Sequence, residues 1–222
     1  MSENKTVFIS RSLPETSDFR TRLETLGWQI IDQTLIEITP VNFELDPEAD
    51  WIFFSSPSGV RSFFSIHKNP GKVRMACLGP GTARTLESYG YTASFIGDGE
   101  PQNSSAAFLK VAANQRILFP RASQSLQSIQ KLLGTSVHIR EVIAYENVPR
   151  KKFQIPEVGI LVFTSPMNAR TYFDKYPLKT GQVVVAIGQR TADQLKALGI
   201  PTVHIATDPS EAGLAEVVVS LR

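Results

Sequence analysis

Two stretches place hydroxyls and a proline directly after an apolar run. They are Phe54-Ser55-Ser56-Pro57-Ser58-Gly59-Val60-Arg61 and, 109 positions later, Phe163-Thr164-Ser165-Pro166-Met167-Asn168-Ala169-Arg170. Ser56 and Ser165 suit a helix N-cap, with Pro57 and Pro166 at the first helical position, where a missing N–H is no loss. Leu78-Gly79-Pro80-Gly81-Thr82-Ala83 and Ile187-Gly188-Gln189-Arg190-Thr191-Ala192 follow the same plan with glycine turns, again 109 positions apart. This predicts four helix N-termini beyond the C-terminal ends of strands, the edge of an open α/β sheet where ligands bind. Free amides and the helix dipole there favour anions. Capping alone explains any one of these motifs. Four equivalents on the same kind of edge also fit an anionic ligand.

Arg11 and Arg121 each follow a strand-like run and precede a helical pattern. They read either as carboxylate ligands or as solvent-facing arginines. Other chemistries find little support. Gly79-Pro80-Gly81 lacks the third glycine of a dinucleotide fingerprint, and no phosphate-binding G-x-x-x-x-G-K-[ST] loop occurs. His67, His138 and His204 are isolated, so no metal and no metal-ligand spacing is expected. No G-x-S-x-G elbow and no acid pair stands out. Any catalysis must use hydroxyls, amides and shape, and no cofactor is expected.

The elements that would hold these groups alternate along the chain. Strand-like runs are Val7–Ser10, Trp51–Phe54, Arg74–Leu78, Ala93–Ile96, Ile117–Phe119, Ile160–Phe163, Val183–Ile187 and Val203–Ile205. Helical patterns cover Glu15–Leu26, Ser58–Ile66, Thr82–Tyr89, Ser105–Ala113, Ser123–Leu133, Met167–Tyr176, Thr191–Leu198 and Glu211–Leu221. Continuously apolar runs imply strands buried on both faces, and strand–helix alternation implies parallel α/β sheets. The repeat extends beyond the motifs: Leu86 and Gly90 match Leu195 and Gly199, and Val7-Phe8-Ile9-Ser10-Arg11 resembles Ile117-Leu118-Phe119-Pro120-Arg121. The expected fold is α/β, with two pseudosymmetric domains, each a parallel sheet flanked by helices.

Ile36-Glu37-Ile38-Thr39-Pro40-Val41-Asn42-Phe43-Glu44-Leu45 and Val142-Ile143-Ala144-Tyr145-Glu146-Asn147-Val148 alternate apolar and polar residues, the mark of half-exposed strands. They are expected to connect the domains as a two-stranded antiparallel linker; two separate edge strands are the alternative.

The bulk numbers narrow the function further. At 222 residues the chain suits one large domain or two of about 100 residues. A net charge of +2, with pI near 8.7, lacks the basic footprint of a nucleic-acid binder. The lone cysteine, Cys77, lies in an apolar run and reads as a buried thiol that fits a reducing compartment. MSENKTVFISRS lacks a signal peptide's apolar core, and no run nears the roughly 20 apolar residues of a membrane span. A cytoplasmic protein with no membrane or nucleic-acid partner is expected, and a monomer.

Taken in order, the strand ending in Arg11, Phe54-Ser55-Ser56-Pro57, Leu78-Gly79-Pro80-Gly81-Thr82-Ala83, Phe119-Pro120-Arg121, Val142-Ile143-Ala144-Tyr145-Glu146, Phe163-Thr164-Ser165-Pro166 and Ala186-Ile187-Gly188-Gln189-Arg190-Thr191-Ala192 resemble the uroporphyrinogen-III synthase family over essentially the whole chain. Each motif is short; their order and spacing carry the specificity. The resemblance implies a discontinuous domain of residues 1–36 plus 150–222, a second domain of 46–140, and linker strands at 37–45 and 141–149. It implies hydroxymethylbilane, a linear tetrapyrrole with eight carboxylates, as substrate. The expected reaction loses the substrate's hydroxyl as water and closes the ring with inversion of the last pyrrole, in tetrapyrrole (haem) biosynthesis, as a cyclising lyase.

Tyr145 matches the family's favoured proton donor; as a strand tyrosine it also reads as simple packing. Arg11, Ser55, Ser56, Thr82, Arg121, Thr164, Ser165, Gly188 and Thr191 are the implied substrate-binding positions. Ser55 stands where threonine is frequent in the family, and Gln189-Arg190 replace a more neutral turn. The rival reading is a non-catalytic two-domain binding protein for a small polyanion.

Overall fold

The structure is a computed structural model and describes residues 5–221. Residues 1–4 of the segment read above as lacking a leader's apolar core lie outside the described residues. In chain order the elements are β1 (Thr6–Ile9), α1 (Asp18–Thr25), β2 (Gln29–Asp32), β3 (Ile36–Pro40), β4 (Trp51–Phe54), α2 (Pro57–Ile66), β5 (Arg74–Cys77), α3 (Pro80–Glu87), β6 (Phe95–Ile96), α4 (Pro101–Ala112), β7 (Arg116–Ala122), α5 (Ser128–Leu133), β8 (His138–Pro149), β9 (Ile160–Phe163), α6 (Pro166–Phe173), β10 (Val183–Ala186), α7 (Gln189–Ala197), β11 (His204–Ile205) and α8 (Glu211–Ser220). They form two compact units. One contains the chain up to Glu37 and again from Pro149; the other is Ile38–Val148.

In the first unit the sheet order is β11-β10-β9-β1-β2, every pair parallel. Successive strand residues point to opposite faces, so the all-apolar strands feed two cores. Phe8, Leu161, Phe163, Val184 and Ala186 pack with Ala169 and Tyr172 of α6 and Ala192 and Leu195 of α7. Val7, Ile9, Val162 and Val185 pack with Phe19 and Leu23 of α1 and Leu214, Ala215 and Val218 of α8. Each fully buried Phe, Leu or Val stabilises by about 1.5–3 kcal/mol.

The second unit follows the same logic. Its order is β3-β8-β7-β4-β5-β6, parallel from β8 to β6. Trp51, Phe53, Ala76, Ile117 and Phe119 meet Phe108 and Ala112 of α4 and Ile129 and Leu133 of α5. Ile52, Phe54, Met75, Cys77 and Leu118 meet Val60, Phe63 and Phe64 of α2 and Ala83 and Leu86 of α3.

Two sequence expectations need revision. Gln29–Asp32, left without an element, forms β2 at the edge of the first sheet. The helix expected from Ser123 starts at Ser128, because Ser123–Gln127 form a turn closed by Ser125 N–H donating to the Ala122 carbonyl. The expected linker segments lie in neighbouring strands, β3 and β8, at the edge of the second sheet. Residues 141–149 continue a 12-residue strand, β8, that pairs parallel with β7 as far as Tyr145. Residues 37–45 are strand only to Pro40; beyond it Phe43 and Leu45 turn into the core around Phe63. Burial of those side chains and the β7 ladder draw both segments into the second unit.

Candidate active site

The capped helix starts form as their residue types require. Ser56 is the N-cap of α2, its Oγ accepting from Gly59 N–H at 3.1 Å, with Pro57 at the helix start. Ser165 caps α6 in the same way, accepting from Asn168 N–H at 3.2 Å. Gly79 and Gly188 hold extended N-cap backbone before α3 and α7, without a side-chain cap. Gly79 is required sterically: a Cβ there would lie 2.9 Å from Gly99 Cα. β4 and β5 are parallel neighbours, as are β9 and β10, so α2 and α3 start at one strand-end edge of their sheet and α6 and α7 at the equivalent edge of theirs.

In the second unit a phenol joins this edge. Tyr145 Oη lies 3.1 Å from Ser56 Oγ, although the two residues are 89 positions apart in the chain. The contact depends on an irregularity in β8. Up to Arg121↔Ile143 the β7–β8 ladder is regular; the next pair is Ala122↔Tyr145, so β8 carries one extra residue. Such a bulge re-aims the side chains that follow. It makes consecutive residues Ala144 and Tyr145 both buried, Tyr145 at 8% exposure, where alternation would bury only one. Ser123 N–H donates to the Tyr145 carbonyl at 3.0 Å and Val41 N–H to the Ala144 carbonyl at 2.9 Å, fixing the strand on both sides.

The other expected site residues separate into two groups. Ser55 is half-buried immediately after β4, and Thr82 and Thr191 are buried in the first turns of α3 and α7. Gly188 has open space around its Cα. These remain on their strand-end edges. The second group is held within the fold. Thr164 ties β9 to β1: its N–H donates to Ser10 Oγ at 2.9 Å and its Oγ1 to the Ser10 carbonyl at 3.1 Å. Arg121 Nε donates to Glu141 Oε2 at 2.8 Å, and its Nη1 to the Ala122 carbonyl at 3.0 Å. Arg11 lies 3.5 Å from Glu211 and keeps more of its side chain in solvent.

Sequence reasoning did not single out Asn168, Glu141 or Ser123. Asn168 is 5% exposed; its Nδ2 donates to Ser165 Oγ at 2.9 Å and its Oδ1 accepts from Leu35 N–H at 2.7 Å. Its place three residues after a capping serine was the available signal. Glu141 gave none beyond its repeat counterpart Asp32, which also accepts from an arginine, Arg20, at 2.9 Å. Among the described residues no three of His, Cys, Asp and Glu gather as a metal site. A cavity of about 450 Å³ lined by Leu45, Ala49, Ile52 and Val73 sits by the segments that precede β4 and β5, at the opposite end of the strands.

These features define a class: a parallel α/β protein whose strand ends carry hydroxyl-capped helix starts and, on one sheet, a buried phenol. The sequence model of the family described as uroporphyrinogen-III synthase HemD matches residues 17–216. The chain is 27% identical over 195 residues to the uroporphyrinogen-III synthase of Synechococcus elongatus, covering 76% of this chain and 73% of that protein. It is 24% identical over 242 residues to the putative uroporphyrinogen-III synthase of Methanocaldococcus jannaschii, covering 97% and 98%. Its fold is similar to the crystal structure of the Helicobacter pylori uroporphyrinogen-III synthetase, with TM-score 0.71 at 22% identity over 98% and 99% of the two chains. The chain belongs to the uroporphyrinogen-III synthase family.

Proposed function

We propose that this protein converts hydroxymethylbilane to uroporphyrinogen III, with loss of water and inversion of the terminal pyrrole, in tetrapyrrole biosynthesis. The observation that carries the reading is the family match over residues 17–216. The chemistry of the strand ends supports it: amides at helix starts and hydroxyls suit the substrate's carboxylates without a large net charge. Tyr145 is the proposed proton donor. Its phenol gives a proton to the departing hydroxyl; the C–O bond breaks with its electron pair on oxygen, and water leaves. The carbocation is delocalised into the pyrrole nitrogen. The substituted α-carbon of the terminal pyrrole bonds to the cationic methylene, giving a spiro intermediate; its bond to the neighbouring methylene then breaks and leaves the cation there, the pyrrole's free α-carbon bonds to that methylene, and rearomatisation releases a proton, which the phenolate takes back. Holding a flexible chain in a curled, near-closed geometry supplies a further part of the rate.

Arg11, Ser55, Ser56, Thr82, Arg121, Thr164, Ser165, Gly188 and Thr191 are proposed around the substrate, with Arg121 and Thr164 acting through the backbone they fix. The two units are proposed to be copies of one plan, each a parallel sheet flanked by helices, connected through β3 and β8. Strand order supports this: β2-β1-β9-β10-β11 runs in the same sense as β8-β7-β4-β5-β6. No helix among the described residues is long and apolar enough to cross a membrane; a cytoplasmic monomer is the proposed state.

The test generates hydroxymethylbilane in place, oxidises the products and separates the isomers. Type III isomer in place of the spontaneous type I supports the activity. Only type I, from folded protein, overturns it. Tyr145→Phe should lower kcat by roughly 100-fold, the lower end of the usual contribution of a general acid.

A further inference from the structure

Resting on that reading, we propose that Ser56 is a positioning residue for Tyr145, fixing which way the phenol's proton points. Ser56 Oγ accepts from Gly59 N–H at 3.1 Å and lies 3.1 Å from Tyr145 Oη. A serine hydroxyl has one proton and two lone pairs. With one lone pair on the helix amide, its proton is free to go to Tyr145 Oη. The phenol's own proton is then available to a substrate oxygen, and the same Ser56 O–H stabilises the phenolate left after transfer. If Tyr145 donated to Ser56 instead, its proton would be directed away from the substrate.

The repeat gives an internal comparison. Ser165 caps α6 as Ser56 caps α2, but the position three residues on is Asn168 in place of Gly59. Asn168 Nδ2 donates to Ser165 Oγ at 2.9 Å, taking a lone pair for which Ser56 has no side-chain amide partner from position 59, and Asn168 Oδ1 accepts from Leu35 N–H at 2.7 Å. Leu35 is the repeat counterpart of Ala144, and Ile36 stands where Tyr145 would be. One unit therefore fills this place with an amide, and the other with a phenol. Gly59 brings no side chain to this place, whereas a Cβ there would meet Pro120 O at 3.4 Å and Ser56 Oγ at 3.5 Å.

Steady-state kinetics with isomer analysis on the full chain test this. Ser56→Ala should lower kcat about tenfold with KM changed less than about twofold, and Ser56→Thr should restore most of the rate. On a Tyr145→Phe background, Ser56→Ala should cost nothing further. Ser210→Ala, which removes the equivalent cap of α8 (its Oγ accepts from Gly213 N–H at 3.1 Å), should leave kcat unchanged.

Wild-type kcat in Ser56→Ala, or an additive loss in the double variant, overturns the Ser56 role while the synthase reading stands if Tyr145→Phe is slow. A Tyr145→Phe variant as fast as wild type overturns the tyrosine and serine roles together. A wild-type protein that forms no type III isomer overturns the whole reading.

Discussion

Arg121 Nε and Glu141 Oε2 are 2.8 Å apart across adjacent strands β7 and β8, with the arginine side chain 16% exposed. Gln127 Nε2 donates to the same carboxylate oxygen at 2.8 Å. The pair sits at the bulge that aims Tyr145, so it braces the strand instead of offering a free guanidinium. Arg121→Leu leaves a half-buried carboxylate with one partner fewer and should destabilise by about 1–3 kcal/mol. The expected result in urea unfolding is a lower midpoint. In kinetics kcat should fall through displacement of Tyr145, with KM little changed. A raised KM at unchanged stability would instead make Arg121 a direct carboxylate ligand.

The two glycine N-caps should respond in opposite ways to alanine. At Gly79 a Cβ meets Gly99 Cα at 2.9 Å and Gly99 N at 3.2 Å, both backbone atoms that cannot swing away. Gly79→Ala should cost about 1–3 kcal/mol by overpacking. At Gly188 nothing lies within 4 Å of the added atom and the backbone is extended, with φ −175°. Gly188→Ala should leave the thermal midpoint unchanged. A rise in its KM would then report crowding of a substrate group that approaches the backbone there, and an unchanged KM would remove Gly188 from the site.

Strands buried on both faces were legible because nothing but apolar residues could fill them, as in Trp51–Phe54 and Ile160–Phe163. β2 was missed because Gln29-Ile30-Ile31-Asp32 is short, half-exposed and partly polar at a sheet edge. The repeat still contained it, since His138–Glu141 of β8 lies 109 positions on. The helix-capping serines were readable because capping is local, three residues deep. The Ser56–Tyr145 contact and the Thr164–Ser10 bonds were not, because their partners lie 89 and 154 positions apart. Alternation in β8 pointed to a half-exposed strand, but a bulge leaves no residue-type signature here. The burial of Ala144 and Tyr145 side by side therefore appeared only with the β7 register.

Asp98 should make the start of α4 acid-sensitive. Its Oδ2 accepts from Asn103 Nδ2 at 2.8 Å, and its Oδ1 from Glu100 N–H at 2.9 Å and Ser104 Oγ at 3.0 Å. These bonds, the one from Asn103 foremost, hold the carboxyl below its ordinary 3.8. A depressed folded-state value means stability that is fully present above the unfolded value and lost as pH falls through the folded one. The difference in urea midpoint between wild type and Asp98→Ala should be constant above about pH 5 and shrink below about pH 4. A difference that grows on acidification would contradict the assignment.

Cys77 should be chemically silent in the native protein. It is fully buried at the end of β5, and burial, with a smaller contribution from Glu87, pushes its thiol up to about 12. The thiolate is the reactive form, so an aromatic disulfide reagent at pH 8 should find no thiol until urea unfolds the chain. Fast native labelling would mean that the sheet face under α2 and α3 opens.

Asn168 should matter more to stability than any exposed polar residue of its helix. Its Oδ1 is the partner of the Leu35 N–H, and Leu35 is wholly buried. Asn168→Ala strands that donor away from water, at a cost of about 1–3 kcal/mol. Asn168→Asp keeps an acceptor for Leu35 but removes the donor to Ser165 Oγ and places a charge beside it, next to the helix N-terminus. The dipole offsets part of the burial cost, so Asp should fall between Asn and Ala in urea midpoint. Hydrogen exchange at the Leu35 amide gives the local reading. It should accelerate in Asn168→Ala by the same factor as the loss of stability, and unchanged exchange would show that the amide finds another acceptor.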